Sequence, residues 1–413
     1  MNKREISLKE NMIWNSFGSM FYLGCQWLIS ILVVRIGGDL EAAGVLALGM
    51  AVSNIFTPVG YYKIRPFQVS DTRETYSFAQ YLSFRVVTLG LSMIIMVVYG
   101  IATCNQADLL PVYLYGIYSM GPILVDVFHG EDQKRLRMDI IGKSLIARGA
   151  LSIASFSFVL NSTSSLSFSL IAMTTTTFLV IFLYDWPATR SLGTTISFDF
   201  SKSAMSKLMV ECAPAVLAAF ICSAIPSIPR QVLETLEGSE VLGIYASIAS
   251  PVLIIQMGAQ YIYSPLLGVF AEKLFNGNIP GFLALLKRVT ASIVAVTVAG
   301  LIFFYLFGEI GLRILFGETI SLYSALLAPL CICSALTAYT WFLSDMLIVL
   351  RDIKGNLIGY AVSFIICICA MTPLISNYSM NGATISVILA YIAGVVFFLI
   401  RITKCIKQVK IDR

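Results

Sequence analysis

DWPATRSLGTTISFDFSKSAMSK, residues 185–207, is the longest polar interval between apolar runs, and it divides those runs six and six. Before it they fall near 12–34, 40–62, 80–103, 109–129, 144–160 and 166–184. After it they fall near 208–229, 241–265, 289–307, 321–345, 357–376 and 383–402. A spanning helix takes about 20 residues, and the fifth run, 144–160, is the shortest. The expected architecture is therefore an all-α polytopic membrane protein with twelve transmembrane helices. Its parts are an N-terminal six-helix lobe (1–184), a linker (185–207), a C-terminal six-helix lobe (208–402) and a basic tail (403–413). An even number of spans per half returns the chain to its starting side, so the halves are expected as parallel repeats about the membrane normal. AGVLA at 43–47 lies on LGIYA at 242–246, and Arg35 and Arg230 each end the first span of their half.

Composition excludes other classes. Of 413 residues, 58% are hydrophobic and 12% charged, with a mean hydropathy of +0.84. Soluble domains run at roughly 45–50% apolar and about 25% charged, so a soluble enzyme is excluded, and the short connections leave no room for a sizeable extramembrane domain. The net charge of +5 reports topology. If the N-terminus is cytoplasmic, 24 of the 28 Lys and Arg fall on the cytoplasmic side, from Lys3, Arg4 and Lys9 through Arg73 to Lys410 and Arg413. Only Arg35, Arg230 and Arg313 fall outside, and Arg148 lies within a span. Positive charge is retained in cytoplasmic loops, which places both termini in the cytoplasm and leaves no basic surface for nucleic acid. MNKREISLKE leads into a full apolar run without a small-residue cleavage site and reads as the start of a retained first span.

The nine cysteines form no CxxC pair and read as small hydrophobes. The one histidine, His129, rules out histidine-rich metal sites and reads as interfacial at the end of the fourth span. Pro214, Pro226 and Pro229 fall together in the seventh span, where each removes a backbone donor, so that span is a candidate bending element.

Several stretches carry a family resemblance. NMIWNSFGSMFYLGCQWLISILVVRIGG (11–38), AGVLALGMAVSNIF (43–56) and RPFQVSDTRETYSFAQYLSFR (65–85) resemble the N-terminal half of polysaccharide flippases. LGIYASIASPVLIIQ (242–256), SPLLGVFAEKLFNGNIPGFLALLKR (264–288), RILFGETISLYSALLAPL (313–330) and NYSMNGATIS (377–386) are similar to the second half. The likeness covers nearly the whole chain and lies in the succession of these stretches, none of which is diagnostic alone. The family is the Wzx-type, O-antigen or capsule repeat-unit branch of the multidrug/oligosaccharidyl-lipid/polysaccharide exporter superfamily. The resemblance implies two lobes around a central cavity, as in the MATE-like exporters. It also implies alternating-access movement of polyprenyl-diphosphate-linked oligosaccharide to the outer leaflet of a bacterial cytoplasmic (inner) membrane. Membrane lipids, a polysaccharide polymerase and glycosyltransferases are the implied partners.

Such a substrate needs a cationic place for its diphosphate. Arg85 and Arg148 lie inside spans near the cytoplasmic ends, Lys63 and Arg65 flank that entrance, and Arg35 and Arg230 lie at the far side. Arginine suits a diphosphate because its planar fork donates paired hydrogen bonds to phosphate oxygens. The competing readings are snorkelling to water and, for Arg148, a pair with Asp126. Gln68, Ser70 and Asp71, with Arg65, form either a cytoplasmic gate or a satisfied turn. Asp126, Glu211 and Asp345 are candidates for proton or sodium coupling, against the reading of ordinary interfacial charge.

Rival functions each lack a feature. A cation or drug exporter of the same superfamily would want an acid in the first span, and residues 11–34 hold none. A major facilitator would carry GxxxDRxxR where GYYKIRPFQVSD (60–71) stands. A membrane polysaccharide polymerase or glycosyltransferase needs a large outer loop or paired acids. Here the outer loops are short, and Glu234, Glu237 and Glu240 at three-residue spacing read as one solvated helix face. Without a catalytic constellation, no enzyme is expected.

Overall fold

The structure, a computed structural model, describes residues 7–71 and 74–411. Lys3, Arg4, Arg73 and Arg413 of the topology argument lie outside the described residues. Among those described there is no strand. The long helices are α1 (Leu8–Gly37), α2 (Leu40–Tyr61), α3 (Phe78–Thr103), α4 (Leu109–Lys134), α5 (Met138–Thr163) and α6 (Leu166–Val180). They continue as α7 (Lys202–Glu237), α8 (Ser239–Tyr263), α9 (Ile279–Phe316), α10 (Leu327–Val349) and α11 (Ile353–Ile411).

Among the described residues, eleven helical stretches are long and apolar enough to cross a membrane, and the last of them is long enough for two crossings. At 59 residues a straight α11 would run about 88 Å, twice a bilayer of about 40–45 Å. Ser379 breaks it with φ 50°, ψ −129°, and the contacts then pair antiparallel. A Cβ on Gly382 would strike the Leu374 carbonyl, Gly394 meets Ser363, and Gly359 meets Phe398. Farther along, Arg401 reaches Asp352. Each expected span thus has its helix, in a multi-pass membrane protein. The fifth is not short: α5 has 26 residues. Its charged beginning looked like loop, but Asp139 is fully buried between Arg137 (2.7 Å) and Lys143 (3.0 Å), so the first turn of helix carries its own neutralisation.

The chain divides into two compact units, Met1–Phe220 and Ile221–Arg413. The polar interval 185–207 is helical at both ends. α6 passes through a π-helical turn, Ile181–Asp185, into Trp186–Ser191, and α7 already begins at Lys202. The extended remainder is tied to the first unit: Arg135 donates to the Leu192 carbonyl, Thr194 to Glu131, and Gln80 to Asp199, while the Asp199 amide donates to Ser83.

Within the first unit, α1 runs parallel to α5 at backbone contact. A Cβ on Gly18 would collide with the Gly142 backbone, and one on Gly142 with the Trp14 carbonyl. Gly149 packs against Cys25 and the Tyr22 backbone. Apolar burial drives little association between helices in lipid, so small residues that admit close approach set such crossings. The outward faces remain apolar, as with Ile94, Val98 and Ile101 on α3, 63–66% exposed at helical spacing. Asn11, 1% exposed, fastens the start of α1 by donating to the Leu136 carbonyl (2.7 Å) and accepting from the Asp139 amide (3.1 Å).

Gly142→Leu should therefore push α1 off α5 and destabilise the purified protein by at least about 1–3 kcal/mol, read as a lower midpoint of thermal unfolding in detergent. Gly24→Ala on the same helix α1, where a Cβ meets nothing within 4 Å, should leave that midpoint unchanged.

Candidate functional site

α1 presents Asn15, Ser19 and Tyr22 along one face, spaced by about a helical turn. α4 brings Pro122, Val125, Asp126 and His129, and α5 brings Ile141, Leu145 and Arg148. With Tyr61 at the end of α2 and Arg65 from the short helix Ile64–Ser70, these residues line a cavity of about 260 Å³ inside the first unit. At about 30 Å³ per water molecule, that is room for a phosphate or diphosphate group, not for a lipid tail. A larger cleft of about 400 Å³ lies over residues 186–196, and Arg190 is its only charged lining residue.

Charge in the cavity is unevenly shared. Asp126 gives one oxygen to each of two guanidinium groups: Arg85 Nη2 donates to Oδ2 at 2.8 Å and Arg65 Nη1 to Oδ1 at 3.3 Å. Arg85 is fully buried, also donates to the Gly60 carbonyl, and lies 5.7 Å from the Tyr61 ring centroid. Arg65 is completed by Gln133. The pairing of Arg148 with Asp126 that the sequence allowed is not made, because Asp126 is taken from both sides. Arg148 is 2% exposed, its guanidinium carbon sits 5.3 Å from the Tyr22 ring centroid, and its Nε and Nη1 find no acceptor among the described residues. Snorkelling is not its environment.

His129 is not interfacial. It is 3% exposed, its Nε2 lies 3.3 Å from Asp185 Oδ1, and Ser144 donates to the other Asp185 oxygen at 2.9 Å. Asp185, fully buried, closes the π-helical turn. Ser144, Arg148 and Ser152 recur every four residues on the buried face of α5, with Ser152 meeting Thr177 of α6.

The remaining candidates sit elsewhere. Gln68 is buried and donates to the Val127 carbonyl, Ser70 donates to the Phe67 carbonyl, and Asp71 accepts from the Thr75 and Tyr76 amides and from the Tyr81 hydroxyl. Gln68 Oε1, by contrast, is buried without a hydrogen-bond partner among the described residues. Lys63 and Arg35 are exposed and Arg230 is half-buried in α7. Glu211 is exposed, and Asp345 is half-buried beside Tyr263. Glu234, Glu237 and Glu240 do not share one helix: α7 ends at Glu237, Gly238 turns the chain at φ 90°, and α8 begins at Ser239. Glu234 is buried rather than solvated. Among the described residues no group of three His, Cys, Asp or Glu could hold a metal ion. Asn15, Ser19, Tyr22, Tyr61, Ser144 and Asp185 were not singled out from the sequence. The polar spacing along the first span was the signal for the first three, while Asp185 was hidden at the edge of the polar interval.

The fold is that of transporters of the multidrug/oligosaccharidyl-lipid/polysaccharide (MOP) superfamily. The chain is similar to an inward-facing multidrug resistance MATE family transporter of that superfamily (TM-score 0.73, 12% identity, covering 96% of this chain and 99% of that one). It is similar also to the Vibrio cholerae MATE transporter VcmN in the bent form (0.60, 12%, 98% and 97%). A MOP superfamily transporter from Pyrococcus furiosus, described as having a binding pocket of reverse polarity that suggests a different function, aligns at TM-score 0.59 and 13% identity over 97% of both chains. In sequence, the capsular polysaccharide biosynthesis protein CapF of Staphylococcus aureus is 21% identical over 378 residues, 91% of this chain and 94% of that protein. No family model matches. The MATE-like fold that the sequence resemblance implied is borne out.

Two outcomes follow from the charges. Asp126→Asn strands the fully buried Arg85 and should destabilise the protein by about 3–5 kcal/mol, whereas Arg65→Gln, on a side chain 28% exposed, should cost about 1 kcal/mol or less; chemical unfolding in detergent compares them. Burial alone would raise the Asp71 carboxyl, but the Thr75 and Tyr76 amides and the Tyr81 hydroxyl hold it below the usual carboxylate range. Its folded value is thus the lower one, so its stabilisation is complete above about pH 4 and is lost as pH falls through the folded value. Protease cutting within 71–77 should rise at acid pH in the wild type and be high and pH-independent in Asp71→Asn.

Proposed function

We propose that this chain is a flippase for polyprenyl-diphosphate-linked oligosaccharide repeat units, moving them by alternating access from the cytoplasmic to the outer leaflet for surface polysaccharide biosynthesis. One observation carries the reading: the buried Arg148 guanidinium faces a cavity of about 260 Å³ with hydrogen-bond donors left over. A buried cation needs an anion, and the nearby carboxylate already serves Arg65 and Arg85. Three guanidinium groups stand against the Asp126 and Asp185 carboxylates among the described residues around this cavity. A diphosphate meets that excess, with Asn15, Ser19 and Arg65 as further donors. Arg85 is a positioning residue, and Lys63 lies at the entrance. The capsular polysaccharide role in the name of CapF and the reverse-polarity pocket of the archaeal transporter support an anionic, glycan-bearing cargo.

The placement of Lys and Arg supports a bacterial cytoplasmic (inner) membrane with both termini inside, near a polymerase and glycosyltransferases. Export of cationic drugs is disfavoured by the sign of the cavity. An enzymatic role is disfavoured because the cavity offers phosphate contacts and no nucleophile with its base.

Deleting the gene should accumulate lipid-linked repeat units in the inner leaflet and abolish surface polymer. Arg148→Gln, expressed at wild-type level in that strain, should restore roughly ten- to a hundredfold less polymer, and Arg148→Lys only part of it, because a point charge lacks the fork. Full restoration by Arg148→Gln, or a change in polymer chain length alone, would refute the flippase reading at this site.

A further inference from the structure

The His129–Asp185 pair stands directly behind the anion site and is not needed by it. His129 lines the cavity, while Asp185 is fully buried on the far side of the ring, fixed by Ser144 one helical turn before Arg148. The π-helical turn Ile181–Asp185 makes this placement. Such a turn inserts one residue into the helix and swings its end inward, and it is a feature enriched at functional positions.

We infer that His129 is a proton site coupled to the anion site: a phosphate group bound at Arg148 makes His129 take up a proton, and protonated His129 holds the phosphate more tightly. This rests on the reading of the cavity as an anion site. The groups facing the imidazole are Asp185 from the π turn, Arg148 from α5, Arg65 from the short helix after α2 and Asp126 from its own helix, and Tyr22 and Tyr61 line the same cavity from α1 and α2. Without the anion, an imidazolium would add a positive charge beside Arg148 and Arg65, with Asp185 alone engaging the ring. A phosphate group at Arg148 reverses that balance with its own negative charge, within a distance at which charges in low dielectric are strongly felt. The coupling is reciprocal by linkage, so affinity for the phosphate rises as pH falls through the range in which histidine titrates. Arg148 supplies the fixed charge, His129 the switchable one. A purely structural His129–Asp185 contact, tying α4 to the π turn, would give no such response.

The test uses the full-length wild-type chain, because His129 is its one histidine. Labelling with ¹⁵N-histidine gives the nitrogen signals of a single imidazole. In nanodiscs at pH 7, farnesyl diphosphate and inorganic pyrophosphate are each titrated in, with calorimetry reporting binding. The expected result is a shift of the ring nitrogens toward the imidazolium form on saturation, equivalent to about a tenfold change in the protonation equilibrium. Arg148→Gln should lose both binding and shift, and His129→Gln should bind with affinity that no longer rises from pH 8 to pH 6 beyond the ligand's own titration. A response to pyrophosphate assigns recognition to the head alone, and a response to farnesyl diphosphate only assigns it to the lipid-borne head; both support the coupling. Binding without any change at His129 overturns the inference while leaving the anion site standing. Absence of binding to the wild type, or undiminished binding to Arg148→Gln, overturns the anion site and the inference together.

Discussion

Asp126 has two oxygens and three guanidinium groups nearby, and the first unit is organised by how that shortage is resolved. In a medium where an ion without a partner is costly, Oδ2 goes to the fully buried Arg85 and Oδ1 to the half-exposed Arg65. That choice ties α3 and the short helix Ile64–Ser70 to α4, and Arg85 also ties α3 to the end of α2 through the Gly60 carbonyl. It also leaves Arg148 as the cation whose charge no acid in contact offsets. The ring of Tyr22 gives it a polarisable face, worth much less than a carboxylate. The excess charge is therefore not a defect of packing but the residue of a fully occupied acid.

Position matters as much as charge, and glycine provides it. Gly142 and Gly149 let α1 approach α5 until the backbone at Trp14 and the Tyr22 Cα touch it. Arg148 projects from the same helix one residue before Gly149, so the close crossing is what brings the Tyr22 ring beneath the guanidinium. The hydroxyl of Tyr22 is itself held by Tyr118 at 3.1 Å. On the other flank, Ser144 and Ser152 satisfy polar groups of α6 and its π turn. Polar contacts between helices thus lie one turn before and one turn after Arg148, and they fix α5 in rotation so that the guanidinium faces inward.

Much of the fold could be read from the sequence because hydropathy in a membrane protein is a one-dimensional signal. Twelve apolar runs placed every long helix to within a few residues at most ends. One misreading comes from charge that is neutralised locally. Arg137, Asp139 and Lys143 look like loop, yet Arg137 stands at the N-cap of α5 and the other two lie in its first turns. Trp186–Ser191 looks like linker and continues α6. At the site, Arg148, Arg65, Arg85 and Asp126 were visible as rare charges in or beside apolar runs, but which of them pair was not. That depends on rotation and depth of four separate helices, set by contacts such as Gly142 on Trp14 that have no signature in composition. The π turn that buries Asp185 is likewise a matter of one inserted residue, below the resolution of any periodicity argument.

A fold of this kind does not select its cargo; the sign of the charge inside it narrows the choice. An acid on the first helix would make the same cavity a place for cations, yet Asn15, Ser19 and Tyr22 stand there, neutral donors beside a surplus guanidinium. Under the proposed function, neutral donors and a fixed cation would bind an anion without demanding that either be stripped of a partner first, so loading would leave the Asp126 network intact. Release would then be the harder step, because a buried guanidinium holding a phosphate is well satisfied. A group behind Arg148 whose charge can be withdrawn is a means of weakening that hold without moving the arginine, and His129, anchored by Asp185 at the rear of the cavity, is placed where such a withdrawal would be felt by the phosphate and by Arg148 alike.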